Sequence, residues 1–392
     1  MADPLPSLVP RFTEAMTAAT VASLDGTLRW WTDAWRRPAP GFDLVRWTQL
    51  VADRRPPRWA HANEVLLETP IARLRDFSLS GADAVIPTLV LPPQAGHDSC
   101  IVDFSRRQSQ IAVLRDAGLG NLYTLDWIGA TGPTRNAGIE DYLAVVDAAV
   151  DLTGGGPVNL VGDCQGGWLA TLWAALRPER VNTLTIAGAP IDFLVGGPVI
   201  GDYVQALPPA FYEGLVALGG GVLPGELLLG GFIVINPSSE VARQLALLAA
   251  LDDPAHVARY AEFEDWFKHT QDLPGAFYLW IVEHLFRRNA LVAGELEIGG
   301  VLVDLKRIDA PLYLLGGAAD HITPPPQVFA LAEHASTPAD RVVKRTTGGG
   351  HLGLFMGSEA LRDHWPPLMA DVYARSRRRR RRGSPLAARK PS

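Results

Sequence analysis

The sequence predicts an α/β protein, with a mostly parallel central sheet, helices on its faces and a helical insertion. Three observations predict it. From Val65 to Ala187, short apolar runs suited to buried strands alternate with stretches whose apolar residues recur at helical intervals. At Val158–Leu176 an apolar run passes through a glycine-flanked turn straight into a helix-forming segment. Beyond Pro190 the alternation breaks into a Gly/Pro-punctuated, mostly helical region, and strand signals resume only at Leu312.

Taken in order, residues 1–60 carry helical patterning at Val9–Thr20, Gly26–Trp35 and Asp43–Ala52. Trp30, Trp31, Trp35, Trp47 and Trp59 crowd this stretch, which reads as an N-terminal extension packed on the main domain. Glu64–Thr69 and Ala72–Phe77 alternate as a hairpin would, and Pro87–Leu91 is a further strand candidate. Ser99–Phe104 reads as a buried strand, followed by a loop at Ser105–Gln110 and a helix at Ile111–Ala117. Strands at Leu122–Trp127, Val158–Gly162 and Val181–Ala187 then alternate with helices at Ile139–Leu152 and Trp168–Leu176. Strand–helix–strand repeats of this kind form a parallel sheet with right-handed crossovers. Residues 61–190 and 296–373 are therefore expected to form the core. Residues 191–295 are expected to form a cap over the carboxyl edge of the sheet, where a substrate would bind. Residues 374–392 read as a disordered arginine-rich tail.

The chemistry centres on Gly162-Asp163-Cys164-Gln165-Gly166-Gly167. This is the design of a nucleophile elbow, G-x-S-x-G, with Cys164 in place of serine. The N-terminus of the following helix favours a thiolate and a developing oxyanion. Such a thiol needs a base, and the base needs an orienting group. In the α/β-hydrolase fold the chain order is nucleophile, acid, histidine. Both expected places are filled. Asp320 lies in the loop behind the strand Tyr313–Gly316, and His351 follows the last strand, Val342–Arg345, after three glycines. Cys164 is the expected nucleophile, His351 its base and Asp320 the group that orients His351. The backbone N–H of Gln165 and one from the Ser105–Arg107 loop, with Ser105 as the candidate, would form the oxyanion hole. The remaining histidines match no such order and read as structural. No HExxH, paired cysteine or histidine cluster points to a metal, and no P-loop or dinucleotide motif to a cofactor.

The composition, 47% hydrophobic and 20% charged over 392 residues, is that of a globular chain with a sizeable core. Two cysteines, Cys100 and Cys164, imply no disulfide framework, so a cytoplasmic setting is expected. Met1–Thr13 shows no secretory signal pattern. Leu215–Ile235 is too broken by glycine and Pro224 for a membrane span and reads as buried or substrate-facing. Net charge is −6, yet the tail alone carries nine cations and no acid, which leaves the body near −15. An arginine run of this kind has no sequence specificity, and no specific nucleic-acid partner is expected.

The chain resembles the polyhydroxyalkanoate synthases. The resemblance rests on Gly162–Gly167, Asp126-Trp127, Pro190-Ile191-Asp192-Phe193, Asp272-Leu273-Pro274-Gly275 with Trp280, Gly294-Glu295-Leu296 with Val303-Asp304-Leu305, Asp320–Pro324 and Gly349-Gly350-His351. Gly230-Gly231-Phe232, Asn236-Pro237 and His351–Gly357 are similar to an uncharacterised synthase-like branch of the same superfamily. The resemblance implies an α/β-hydrolase fold and an acyltransferase without a cofactor. It implies acyl transfer through Cys164, with 3-hydroxyacyl-CoA and a polyester chain as substrates. A homo-oligomer, a second synthase subunit and the surface of a polyester granule are the implied associations. A Cys-dependent esterase or depolymerase, and a non-catalytic granule-binding protein, are the alternatives.

Overall fold

The computed structural model describes residues 16–18, 20–21, 23–24, 40–197 and 199–377. Eight strands form the central sheet: β1 (Glu64–Glu68), β2 (Ala72–Asp76), β3 (Thr88–Leu91), β4 (Leu122–Trp127), β5 (Val158–Asp163), β6 (Val181–Ala187), β7 (Leu312–Gly317) and β8 (Val342–Thr347). Their spatial order is β1-β2-β4-β3-β5-β6-β7-β8. β1 pairs antiparallel with β2, and β2 with β4; every other pairing is parallel. This is the α/β-hydrolase fold.

The apolar runs follow from burial on both faces. Leu89 and Leu91, Leu160, Leu312 and Leu314 point into one core, and Val90, Val161, Tyr313 and Leu315 into the other. Successive strand residues face opposite sides, so a strand buried on both reads as a continuous apolar run. Helices α2 (Gln110–Asp116) and α8 (Trp365–Ser376) cover one face, and α3 (Ile139–Leu152) and α4 (Gln165–Leu176) the other. In α3 the buried residues Ile139, Tyr142, Leu143, Val146 and Val150 recur at helical intervals, and its bounds are those the periodicity predicts.

Several expectations change. Ser99–Phe104 is not a sheet strand. Ser99–Val102 is a 3₁₀ turn started by Asp98, whose side chain accepts from the Cys100 N–H at 2.9 Å. Asp103–Ser105 then forms a small antiparallel hairpin with Gln108–Ser109. Cys100, Ile101 and Val102 are fully buried, and a short buried apolar run has no periodicity by which strand and turn can be told apart. The helix after the elbow starts at Gln165, three residues before Trp168.

The insertion also divides. Helices α5 (Gly225–Ile235), α6 (Pro237–Ala249) and α7 (Pro254–Phe267) belong to the cap, whereas Phe277, Ile281, Leu285 and Leu291 pack into the main core. Lastly, the tail begins later than residue 374. Ala374–Ser376 end α8, and Arg377 bridges to Val85, because α8 buries Met369, Val372 and Ser376 against the core. Residues 378–392 lie outside the described residues.

The N-terminal helix α1 (Pro40–Ala52) packs on the cap, not on the main domain. Trp47, Leu50 and Val51 meet Leu247, Leu248 and Leu251, and Trp47 Nε1 donates to the Gln244 carbonyl at 3.3 Å. Trp59 does reach the main domain, its ring tilted against Phe77 with centroids 5.5 Å apart and lying beneath the Arg75 guanidinium. Residues 16–18 and 20 of the expected Val9–Thr20 helix are helical. The Gly26–Trp35 stretch, with Trp30 and Trp31, lies outside the described residues.

Truncating a residue at the centre of the sheet tests this packing. Leu314, fully buried in β7, lies between β6 and β8. Leu314→Ala is expected to cost about 3 kcal/mol of stability by chemical denaturation, through lost apolar burial and the cavity left behind. A loss below about 0.5 kcal/mol would contradict this core.

Candidate active site

The elbow is built by backbone crowding. Cys164 has φ 50° and ψ −117°, a conformation that side chains rarely adopt. Its N–H donates to the Ala187 carbonyl on β6 at 2.9 Å, and its carbonyl accepts from the Gly167 N–H at 3.0 Å. The glycines are required by contact. A Cβ on Gly162 would lie 2.5 Å from the Gly167 Cα, and one on Gly166 would lie 1.9 Å from the Leu91 carbonyl oxygen. The turn is therefore clamped between β3 and α4, and the half-buried thiol stands at the N-terminus of α4. Cys100 is a free cysteine buried in the 3₁₀ turn, and burial pushes its thiol pKa far up.

Asp320 and His351 come from the loops behind β7 and β8. Asp320 Oδ1 accepts from the Ile322 and Thr323 N–H groups at 2.9 and 2.8 Å, which fixes the carboxylate. Its Oδ2 lies 2.7 Å from His351 Nδ1. The imidazole stands edge-on to Phe355, and a Cβ on Gly188 would come within 3.2 Å of its Cε1. Burial by itself would lower the His351 pKa. The Asp320 carboxylate and, after it, the Cys164 sulfur outweigh burial and raise it well above the ordinary 6.5. Such a group favours the imidazolium form.

Of the five residues singled out from the sequence, Cys164, Gln165, Asp320 and His351 meet here, and Ser105 does not. Ser105 sits in the Asp103–Ser109 hairpin and lines neither of the lobes that border Cys164. An oxyanion donor at Ser105 requires a sheet strand ending at Phe104, but the strand beside β5 is β3. Its loop, Pro92-Pro93-Gln94-Ala95, comes to the elbow instead, and Ala95 lines the site on both sides of Cys164. Pro92 and Pro93 have no N–H, so Gln94 and Ala95 are the first donors that this loop can offer. The sequence signal was present: two prolines directly after the apolar Thr88–Leu91.

Two apolar lobes open on either side of Cys164. One is walled by Trp168, Phe193, Ile200, Ile281 and Phe286. The other is walled by His97, Ile101, Trp266, Phe267 and Phe355. Ala95, Phe232 and Ile322 border both. Phe232 is on α5, an almost wholly apolar cap helix in which only Gly225 is fully buried. His97 stacks on Trp266 and Phe267, with centroids 4.9 and 5.5 Å away. Burial lowers its pKa to about 4, so it is a neutral aromatic wall at ordinary pH. Among the described residues no group of three or more His, Cys, Asp or Glu is placed to hold a metal ion. None of their helices is long and apolar enough to cross a membrane.

Fold and site together define an α/β-hydrolase-fold protein with a cysteine at the apex of the strand–turn–helix elbow. The chain belongs to the family described as "Protein of unknown function (DUF3141)", which matches residues 76–365. It is 28% identical over 283 residues to a poly(3-hydroxyalkanoate) polymerase subunit PhaC of Haloferax mediterranei, covering 70% of this chain and 56% of that one. It is also 28% identical over 274 residues to the PhaC subunit of Allochromatium vinosum, covering 68% and 75%. An uncharacterised Rhizobium meliloti protein is 28% identical over 404 aligned residues, covering 92% and 53%. The chain thus spans little more than half the length of the Haloferax and Rhizobium relatives. Among solved structures it is similar to a Paleococcus ferrophilus monoacylglycerol lipase, with TM-score 0.49, 18% identity, and 78% and 99% of the two chains covered.

Two variants test the geometry. Gly166→Ala drives a Cβ into the Leu91 carbonyl and is expected to cost on the order of 4 kcal/mol by denaturant titration. A near-neutral result would refute the clamp. Asp320→Asn removes the charge that raises the His351 pKa. A raised histidine pKa contributes stability below the unfolded value, and that contribution fades as pH rises through the folded value. Asp320→Asn should therefore lose stability at acid and neutral pH and converge with wild type at high pH. Alkylation of Cys164 by iodoacetamide at pH 6.5 should slow by about tenfold for each unit by which the His351 pKa falls. An unchanged rate would show that the imidazole does not govern the thiol.

Proposed function

We propose that this chain is an acyltransferase of the polyhydroxyalkanoate synthase type, taking 3-hydroxyacyl-CoA as its acyl donor. His351, oriented by Asp320, accepts the Cys164 Sγ proton. The thiolate attacks the thioester carbonyl, and the tetrahedral oxyanion is met by the Gln165 N–H and a donor from the Gln94–Ala95 backbone. Collapse breaks the bond to CoA, whose thiolate takes the proton back from His351. A 3-hydroxyl group of a second hydroxyacyl unit, deprotonated by His351, then attacks the Cys164 thioester. The new ester bond forms, and the Cys164 thiolate leaves and regains the proton.

The observation that carries this reading is the pair of apolar lobes converging on one sulfur atom. An enzyme that passes its acyl group to water needs one acyl lobe and access for water. One that passes it to an organic alcohol needs room for two apolar bodies, and dry walls that keep water from competing. Sulfur at the apex also suits transfer, since thioester exchange between thiols is nearly isoenergetic. The similarity to the PhaC subunits supports the donor class.

Purified protein incubated with 3-hydroxybutyryl-CoA tests the proposal. Release of CoA together with a lengthening oligoester, and an acyl adduct on Cys164 in the mass spectrum, are expected. CoA with monomeric acid alone would make water the acceptor and the protein a thioester hydrolase. Cys164→Ala should abolish both adduct and CoA release. Activity that survives it would refute the nucleophile, and no activity in the wild type would favour a binding role.

A further inference from the structure

The residue before the nucleophile carries a second feature of this site. Asp163 ends β5, one position from Cys164, and is fully buried. Among the described residues the side chain that donates to it is Gln110, the first residue of α2, also fully buried. Gln110 Nε2 donates to Asp163 Oδ1 at 3.2 Å. The other two atoms of the pair, Asp163 Oδ2 and Gln110 Oε1, are buried without a partner. A buried carboxylate would here hold a full charge with one donor, and the Gln110 carbonyl oxygen would have none. Both orphans vanish if the carboxyl keeps its proton, because a carboxylic acid supplies one O–H donor and an amide carbonyl accepts it.

We infer that Asp163 is held as a neutral carboxylic acid, closed with the Gln110 amide into a ring of two hydrogen bonds, and that it acts as a positioning residue by keeping charge away from the thiol. The alternative, a carboxylate under the elbow, would oppose both a thiolate at Cys164 and the oxyanion that forms beside the Gln165 N–H. The elements packed around Asp163 bring few other charges. α2 contributes Gln110, β6 contributes Ala187, and the titratable groups that face it are Cys164 and, from the loop behind β8, His351. Burial pushes the Asp163 pKa up to about 8; the bond from Gln110 and the charge of His351 moderate the shift. The proton is then present at neutral pH and lost in mildly alkaline solution. The charge role rests on Cys164 being the reactive thiol, but the protonation state stands without it.

Asp163→Asn in the full chain separates the two. Asparagine keeps the shape and the Gln110 partner and cannot ionise. An acid whose folded pKa lies above its unfolded value loses stability as pH rises between the two. The wild-type folding constant should fall relative to the variant by about tenfold per pH unit from near pH 4 to about pH 8, then level off. A ratio that stays constant over that range overturns the neutral acid. The second readout is the rate of Cys164 alkylation by iodoacetamide, which needs no acyl substrate. The ratio of variant to wild-type rate should step upward across about pH 8 as Asp163 ionises in the wild type. Equal profiles would overturn the charge role. Failure of acyl transfer to 3-hydroxybutyryl-CoA would refute the proposed reaction and leave both of these results decisive.

Discussion

One backbone conformation governs the carboxyl edge of this sheet. At Cys164 the chain turns from β5 into α4 with a positive φ that a side chain adopts only under constraint. The constraint comes from three sides: β3 through the Leu91 carbonyl against Gly166, β6 through the bond from the Cys164 N–H to Ala187, and α4 through Gly167 against Gly162. Each contact is backbone to backbone, so the turn cannot relax by moving a side chain. The strain is offset by the buried apolar sheet on either side, where each fully buried leucine contributes about 2 kcal/mol. The thiol is held out because the sheet leaves it nowhere else to go.

From that turn the electrostatics follow. The site is walled by apolar side chains, so every buried charge in it must be balanced or suppressed. Asp320 is balanced twice over, by two backbone N–H groups and by His351. His351 keeps a raised pKa against the penalty of burial because two groups favour its charged form. His97, stacked against aromatic rings, goes the other way and is neutral, because burial outweighs the two backbone hydrogen bonds that favour its charge. One residue type thus has opposite protonation behaviour on two sides of the same cavity, and the difference lies in the partners alone.

The cap gives the site its shape. It brings Phe232 and Trp266 to the lobes, and it is tied down by α1, by the His97–Thr270 bridge and by a buried Glu264 that meets Arg54, Arg243 and Lys268. The N-terminal extension is therefore part of what holds the cap over the thiol. Its tryptophans made a packing role legible in advance, but not which surface they would meet.

Local physics is what the amino-acid sequence by itself determined. Strands buried on both faces must be apolar throughout, and helices on one face must repeat at 3.6 residues, so β4 and α3 could be read off to the residue. The elbow glycines and the order Cys164, Asp320, His351 were legible for the same reason, since each is a short pattern at the end of a strand. The tertiary structure alone decided which strand lies beside β5. That pairing is set by contacts far apart in sequence, and it brings the Gln94–Ala95 loop, not Ser105, to the elbow. It also decided that Gln110 faces Asp163 across 53 positions of chain and that α1 rests on the cap. Periodicity reports how a residue is buried; only the folded chain reports what it is buried against.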